Sequence, residues 1–298
     1  MTADWQQRPE VASPAAVTAF ARACLACGPR LARLLLGPVC AWFWMTRTEE
    51  RRFSRDYLRR VLGREPGWRD TWRHFWNFAS VTLDRLYILG ADGKGIDVQL
   101  EGTDVLDLHL DAGEGCFLLG AHLGSFEASR VARHRRPHLP LRYVQDRRQN
   151  PAITALFESL NPDLAGEVLD LTGSPGVGLT LAETLRGGAL VALLGDRARG
   201  QEATVGARFL GDEAQFPAAP WQLAIVLGVP VVLFFGLRTG PGRYRVLFEH
   251  FEVPTGVARN ARAAAVADCA QRYADRLAEV ARSAPYNWFN FYDFWGTR

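Results

Sequence analysis

From Gly95 onward the chain alternates between apolar runs of strand length and segments with helical spacing of apolar positions. Strands are predicted near Ile96 to Leu100, Cys116 to Gly120, Leu141 to Gln145, Glu167 to Leu171, Ala189 to Leu194, Val229 to Leu237 and Tyr244 to Phe251. Helices are predicted near Val105 to Leu110, Phe126 to His134, Ile153 to Leu160, Gly176 to Arg186, Pro217 to Leu227 and Arg259 to Ala284. Alternation of this kind predicts an α/β fold, a mixed and largely parallel sheet flanked by helices. No repeat or low-complexity linker interrupts it, so residues 91–298 read as one catalytic-sized domain.

Residues 1–90 have a different texture and form an N-terminal helical segment. Ala15 to Cys27 is apolar apart from Arg22, and Leu34 to Met45 is an uncharged run of 12 residues ending in aromatics. Pro29, Arg30, Arg33 and Pro38 interrupt them. The longest uncharged stretch of this segment therefore falls short of the roughly 20 residues of a spanning helix. The expectation is a broken, partly inserted helix pair, with arginines snorkelling to anionic headgroups and Trp42 and Trp44 at interfacial depth. The arginines from Arg47 to Arg64 suit the same surface. A soluble helical layer with its arginines in water is the alternative. Residues 66–90 space Trp68, Trp72, Phe75, Phe78, Leu83 and Leu86 as an amphipathic helix.

Charge sharpens this division. The net charge is only +3, which gives no reason to expect a nucleic-acid partner. Residues 1–90 nevertheless hold 14 arginines against 8 acids, and Lys94 is the only lysine. The five cysteines, Cys24, Cys27, Cys40, Cys116 and Cys269, are odd in number and lie mostly in apolar segments, which fits buried thiols better than a disulfide framework. No zinc-finger spacing follows Cys24-x-x-Cys27, and neither a metal nor a cofactor is expected.

Candidate chemistry centres on Gly115 to Glu127. The apolar strand ends in small residues, delivers His122 at its C-terminal end, and leads to Glu127 on the next helix. Five positions on one unbroken helix would turn Glu127 about 140° away from His122, so the two can meet only across a bend. Gly124 supplies one and lets a substrate approach the main chain. Across it, Glu127 can accept the proton of one imidazole nitrogen and leave the other as a base for a substrate hydroxyl. The spacing alone is weak evidence, because His109 also has a glutamate five positions on, Glu114. Only the His122 copy sits at a strand end, where α/β folds place ligands. A purely structural histidine is the alternative.

A second strand, Ala189 to Gly195, ends in Asp196 and Arg197 and should face the same edge of the sheet. That makes Arg197 a partner for a phosphate or an oxyanion, with Asp196 holding the loop; a surface salt bridge is the alternative. Arg147 and Arg148 form a basic turn able to meet phosphate. Phe209-Leu210-Gly211 and the turn from Phe216 to Trp221 leave room for methylenes or an anion at a helix start. The glycines between Gly173 and Gly178 lack nucleotide-loop order, and the Gly-x-Ser-x-Gly elbow of serine hydrolases is absent.

Together, the His-x4-Glu pair after an apolar strand, Gly195-Asp196-Arg197 after a later one, Phe209-Leu210-Gly211, Phe216-Pro217-Ala218-Ala219-Pro220 and Val229-Pro230-Val231-Val232, behind an amphipathic N-terminus, resemble the bacterial lipid A biosynthesis lauroyl/myristoyl acyltransferases, within the glycerolipid and lysophospholipid acyltransferase superfamily. The resemblance implies transfer of a fatty acyl group from acyl carrier protein or coenzyme A to a hydroxyl of a lipid acceptor, at the cytoplasmic face of the inner membrane. It implies His122 as general base and Glu127 as its orienting carboxylate, without an acyl-enzyme. Arg197, Asp196, Gly124 and Arg147 are the expected substrate-binding positions. The aromatic ending Pro285 to Trp295 departs from the basic ending of those enzymes; it lines an acyl tunnel, lies at the membrane or packs on the sheet. The competing functions are an acyl thioesterase and a non-catalytic membrane-surface protein.

Overall fold

The structure is a computed structural model and describes residues 14–91, 93–130, 141–145, 155–156, 158–159, 166, 168–170, 177–198 and 202–296. Three helices lead, α1 (Pro14–Thr46), α2 (Thr48–Leu62) and α3 (Trp68–Gly90). They are followed by β1 (Asp97–Glu101), α4 (Thr103–Asp111), β2 (Phe117–Gly120), β3 (Leu141–Gln145), β4 (Val168–Asp170), α5 (Val177–Arg186) and β5 (Leu190–Leu194). The chain ends with β6 (Thr204–Phe209), β7 (Asp212–Pro217), α6 (Ala219–Leu227), β8 (Val231–Gly240), β9 (Arg243–Phe251), α7 (Arg262–Ser283) and an aromatic tail. The predicted Ile153 to Leu160 helix and the end of the predicted Phe126 to His134 helix lie largely outside the described residues.

Seven strands form one sheet in the order β1-β9-β8-β2-β5-β3-β4. The five from β8 to β4 run parallel, and β8–β9 is the antiparallel pair. The fold class is thus the mixed, largely parallel sheet flanked by helices that the sequence predicted. All four residues of β2 are buried, as a central strand covered on both faces requires. Phe117 and Leu119 enter the core beneath α7 and α6, while Leu118 enters the core on the opposite face, following the period of two. Helix α7 buries Val266, Ala270, Tyr273, Leu277 and Ala281 along one stripe, the helical counterpart of that rule.

One element corrects the expectation and another refines it. The hairpin β6–β7 stands where only turns were read. Leu210 (φ 51°) and Gly211 (φ 104°) form its two-residue tip, with the positive φ pair that matches strand twist. The N-terminal apolar stretch is broken as expected, with two helical halves of α1 joined across a kink. Gly28 leaves the helical region (φ 81°, ψ 164°) while Pro38 stays inside the helix. Pro29 then opens the second half, where its missing N–H costs little. Thr18–Thr46 is long and apolar enough to cross a membrane by length and composition. It exposes Leu31, Leu34, Leu35, Val39, Trp42 and Met45.

The helical front is tied to the sheet by a buried charge cluster. Asp84 of α3, fully buried, accepts from Arg33 Nη2 of α1 at 2.7 Å and from the Tyr244 hydroxyl of β9 at 2.9 Å. Both partners answer the desolvation cost of that carboxylate. Farther along α3, Asn77 Nδ2 donates to the Tyr286 carbonyl of the tail at 2.7 Å.

Candidate active site

The site follows from strand register. β2 and β5 are adjacent and parallel, and Gly120 is opposite Leu194. Residues two positions beyond each strand therefore emerge side by side at the carboxyl edge, and these are His122 and Asp196. His122 Nδ1 lies 2.8 Å from Asp196 Oδ1, and the His122 backbone N–H donates to Asp196 Oδ2 at 3.1 Å. The His122 side chain is 32 % exposed and that of Asp196 is 0 %. The pair thus presents an imidazole to solvent and keeps its carboxylate inside.

The turn that carries His122 is set by close backbone packing. Gly124 has φ 70°, and a Cβ there would stand 1.9 Å from the Gly236 carbonyl oxygen. Its N–H donates to the Asn287 carbonyl at 2.7 Å, and Ser125 N–H donates to Gly236 O at 2.8 Å. Only glycine fits, and the fit is to β8. Ser125 Oγ accepts the Ala128 N–H at 3.1 Å, capping the helical turn that opens at residue 128.

Asp196 is the carboxylate on Nδ1, the place the sequence reading gave to Glu127. Glu127 Oε1 lies 2.7 Å from Arg85 Nε of α3. The partner of His122 comes from the neighbouring strand because register places it there, while Glu127 faces α3. The doubted copy of the spacing does meet in space, with His109 Nδ1 3.5 Å from Glu114 Oε2, but His109 lies on α4, away from the carboxyl edge of β2.

Arg197 is drawn into the scaffold. Its Nη2 donates to the Phe289 carbonyl, its guanidinium lies 5.1 Å from the centre of the Tyr292 ring, and its Nε is 3.6 Å from Asp196 Oδ2. Burial alone would raise the Asp196 carboxyl. The charge of His122, the hydrogen bond from it, Arg197 and the Trp288 indole outweigh that and hold it below the usual carboxylate range. Asp196 is therefore a permanent anion. Arg147 lies outside the described residues.

The tail contributes what the sequence reading left open. Trp288, fully buried, donates from Nε1 to Asp196 Oδ2 at 3.0 Å, and Phe289 N–H donates to the His122 carbonyl at 2.9 Å. The aromatic ending thus packs against the site and against α2 and α3. Its one forward signal was the density of rings in Trp288 to Trp295. Among the described residues, no group of three or more His, Cys, Asp or Glu has the arrangement of a metal site.

These features define an α/β enzyme with a carboxylate-held histidine at the carboxyl edge of a mostly parallel sheet. Residues 11–297 match the family described as bacterial lipid A biosynthesis acyltransferase, and the chain belongs to that family. No curated protein matches it. Membership makes it an acyltransferase, which implies an acyl donor and a lipid acceptor.

Proposed function

We propose that this acyltransferase moves a fatty acyl chain from a thioester, carried by acyl carrier protein or coenzyme A, to a hydroxyl of a lipid acceptor, with His122 as general base. The observation that supports this most strongly is the His122–Asp196 pair. With Nδ1–H donated to a permanent anion, the neutral imidazole carries its lone pair on Nε2. Nε2 takes the hydroxyl proton as the acceptor oxygen attacks the thioester carbonyl. Collapse of the tetrahedral intermediate breaks the carbon–sulfur bond, and the leaving sulfur takes the proton from His122 Nε2, which restores the neutral imidazole. An ester and a free thiol result, with no bond to the enzyme.

Asp196 is the orienting carboxylate in this reading. Glu127, paired with Arg85, holds the turn against α3. Arg197 acts as a fixed positive charge behind the pair. Arg147 and the backbone near Gly124 remain our proposed contacts to the substrate. The exposed apolar face of α1 and the arginines of α2 fit attachment to the cytoplasmic face of the inner membrane, so residues 1–90 serve as the membrane-associating unit and residues 91–298 as the acyltransferase domain.

The test offers purified protein radiolabelled acyl thioesters and a total membrane-lipid extract, beside His122→Ala. A labelled lipid that disappears with the variant is expected. Label appearing only as free fatty acid would replace this reading with a thioesterase.

A further inference from the structure

The orientation of the proton-transfer pair depends on what holds the Asp196 carboxylate. Two of the hydrogen bonds on Asp196 come from His122, one from its backbone N–H and one from its ring. Among the described residues, the remaining hydrogen-bond donor within 3.5 Å of the carboxylate is Trp288 Nε1, at 3.0 Å on Oδ2. Arg197 Nε stands farther off at 3.6 Å.

Trp288 is unusually well anchored for that task. Its ring centroid lies 5.0 Å from that of Tyr57, 5.1 Å from Phe209 and 4.9 Å from Phe294, all at steep interplanar angles. Such an edge-to-face cage allows the indole one orientation. Its backbone pairs with Leu123, beside His122. Its carbonyl accepts from His74 Nε2 at 2.9 Å, which leaves His74 Nδ1 to accept from the Ser54 hydroxyl at 2.8 Å. A buried line of polar contacts thus runs from α2 through α3 and the tail to the carboxylate.

We propose that Trp288 is a positioning residue for the reaction: its indole N–H fixes the Asp196 carboxylate, and through it the His122 imidazole, in the orientation that aims Nε2 at the acceptor hydroxyl. This rests on His122 being the base. Without the indole proton the carboxylate loses a donor, concentrates more charge on the oxygen facing His122, and binds the imidazolium more strongly.

The ionisable groups around the cluster are His122, Asp196 and Arg197 at the strand ends, Tyr57 on α2, His74 on α3 and Tyr273 on α7. Burial raises both tyrosines, and it lowers His74 to about 4 against a partly compensating bond to the Trp288 carbonyl and with Arg197 adding to the lowering. Both tyrosines and His74 are therefore neutral near pH 7.

The experiment replaces Trp288 by Phe, and separately by 3-benzothienylalanine, which keeps the bicyclic shape and puts sulfur where the N–H stands. Acyl transfer is measured across pH in each, in Asp196→Asn, and in the doubles. We expect kcat to fall about tenfold, the size of a lost charge-assisted hydrogen bond, with KM within about twofold. The acid limb of the rate profile should move upward by roughly half a pH unit, and neither change should add to the loss in Asp196→Asn. If the benzothienyl variant keeps the wild-type kcat and limb, or if its loss adds fully to that of Asp196→Asn, the assignment is overturned. An active His122→Ala would instead remove the base itself, an outcome read independently of Trp288.

Discussion

Asp196→Asn tests the division of labour in the site with almost no change in shape. In the native protein Oδ1 accepts from His122 Nδ1, and Oδ2 accepts from both the His122 backbone N–H and Trp288 Nε1. An asparagine must put its NH2 at one of the two places. At Oδ2 it would face two donors; at Oδ1 it would face only Nδ1, which can become an acceptor by shifting its proton to Nε2. The second arrangement loses fewer hydrogen bonds and is the one the variant should adopt. It blocks the base, because Nε2 then carries the proton it is meant to receive. The analogous carboxylate-to-amide change in a serine-protease triad costs about 10⁴ in kcat through the same wrong tautomer. We expect a loss of about 10³ to 10⁴, or roughly 4 to 5.5 kcal/mol of barrier, with KM little changed. Single-turnover acyl transfer from a labelled thioester reads it, and circular dichroism checks the fold. A variant within tenfold of wild type would refute the role of Asp196.

Other outcomes follow from the same geometry. Glu127→Gln should lower kcat by releasing Arg85, yet leave the acid limb of the rate–pH profile in place, since Asp196 is the carboxylate on Nδ1; a limb that moves with Glu127 and stays with Asp196 would reverse these assignments. Gly124→Ala drives a Cβ to 1.9 Å from the Gly236 carbonyl oxygen at a φ of 70°, so urea unfolding should show a loss of at least about 2 kcal/mol, and an unchanged midpoint would contradict the close packing. His74, whose pKa burial lowers from 6.5 to about 4, stays neutral in the folded chain while the unfolded chain takes up a proton. Its contribution to stability is whole above pH 6.5 and declines as the pH falls to about 4, by about 3 kcal/mol in all. Comparing unfolding midpoints at pH 7 and pH 5 with those of His74→Gln should show the steeper decline in wild type; equal slopes would remove His74 from the account.

The strands that carry the site were legible because they are locally marked. Cys116 to Gly120 and Ala189 to Leu194 are apolar on both faces, as central parallel strands are, and β3 begins and ends where the sequence placed it. That both strand ends face one edge also followed from the parallel reading. The partner of His122 did not, because it depends on β5 lying next to β2 in register, and strand order is a property of the whole sheet. The hairpin β6–β7 was missed although Val205, Ala207 and Phe209 alternate with polar or small residues. In α1 the break was legible from the interruptions between Pro29 and Pro38, and it lies at Gly28, whose φ no other residue adopts as cheaply. Trp288 acts across more than 90 residues of separation from Asp196, beyond the reach of any local pattern.

The central claim is that His122 takes a proton from a lipid hydroxyl so that an acyl group can move. The most direct measurement incubates the protein with radiolabelled acyl carrier protein or acyl coenzyme A and membrane lipid, beside folded His122→Ala, and resolves the labelled products by chromatography. The account expects a new labelled lipid from the wild type and at least about a thousandfold less from the variant. A His122→Ala protein that forms the same lipid at a comparable rate would contradict it.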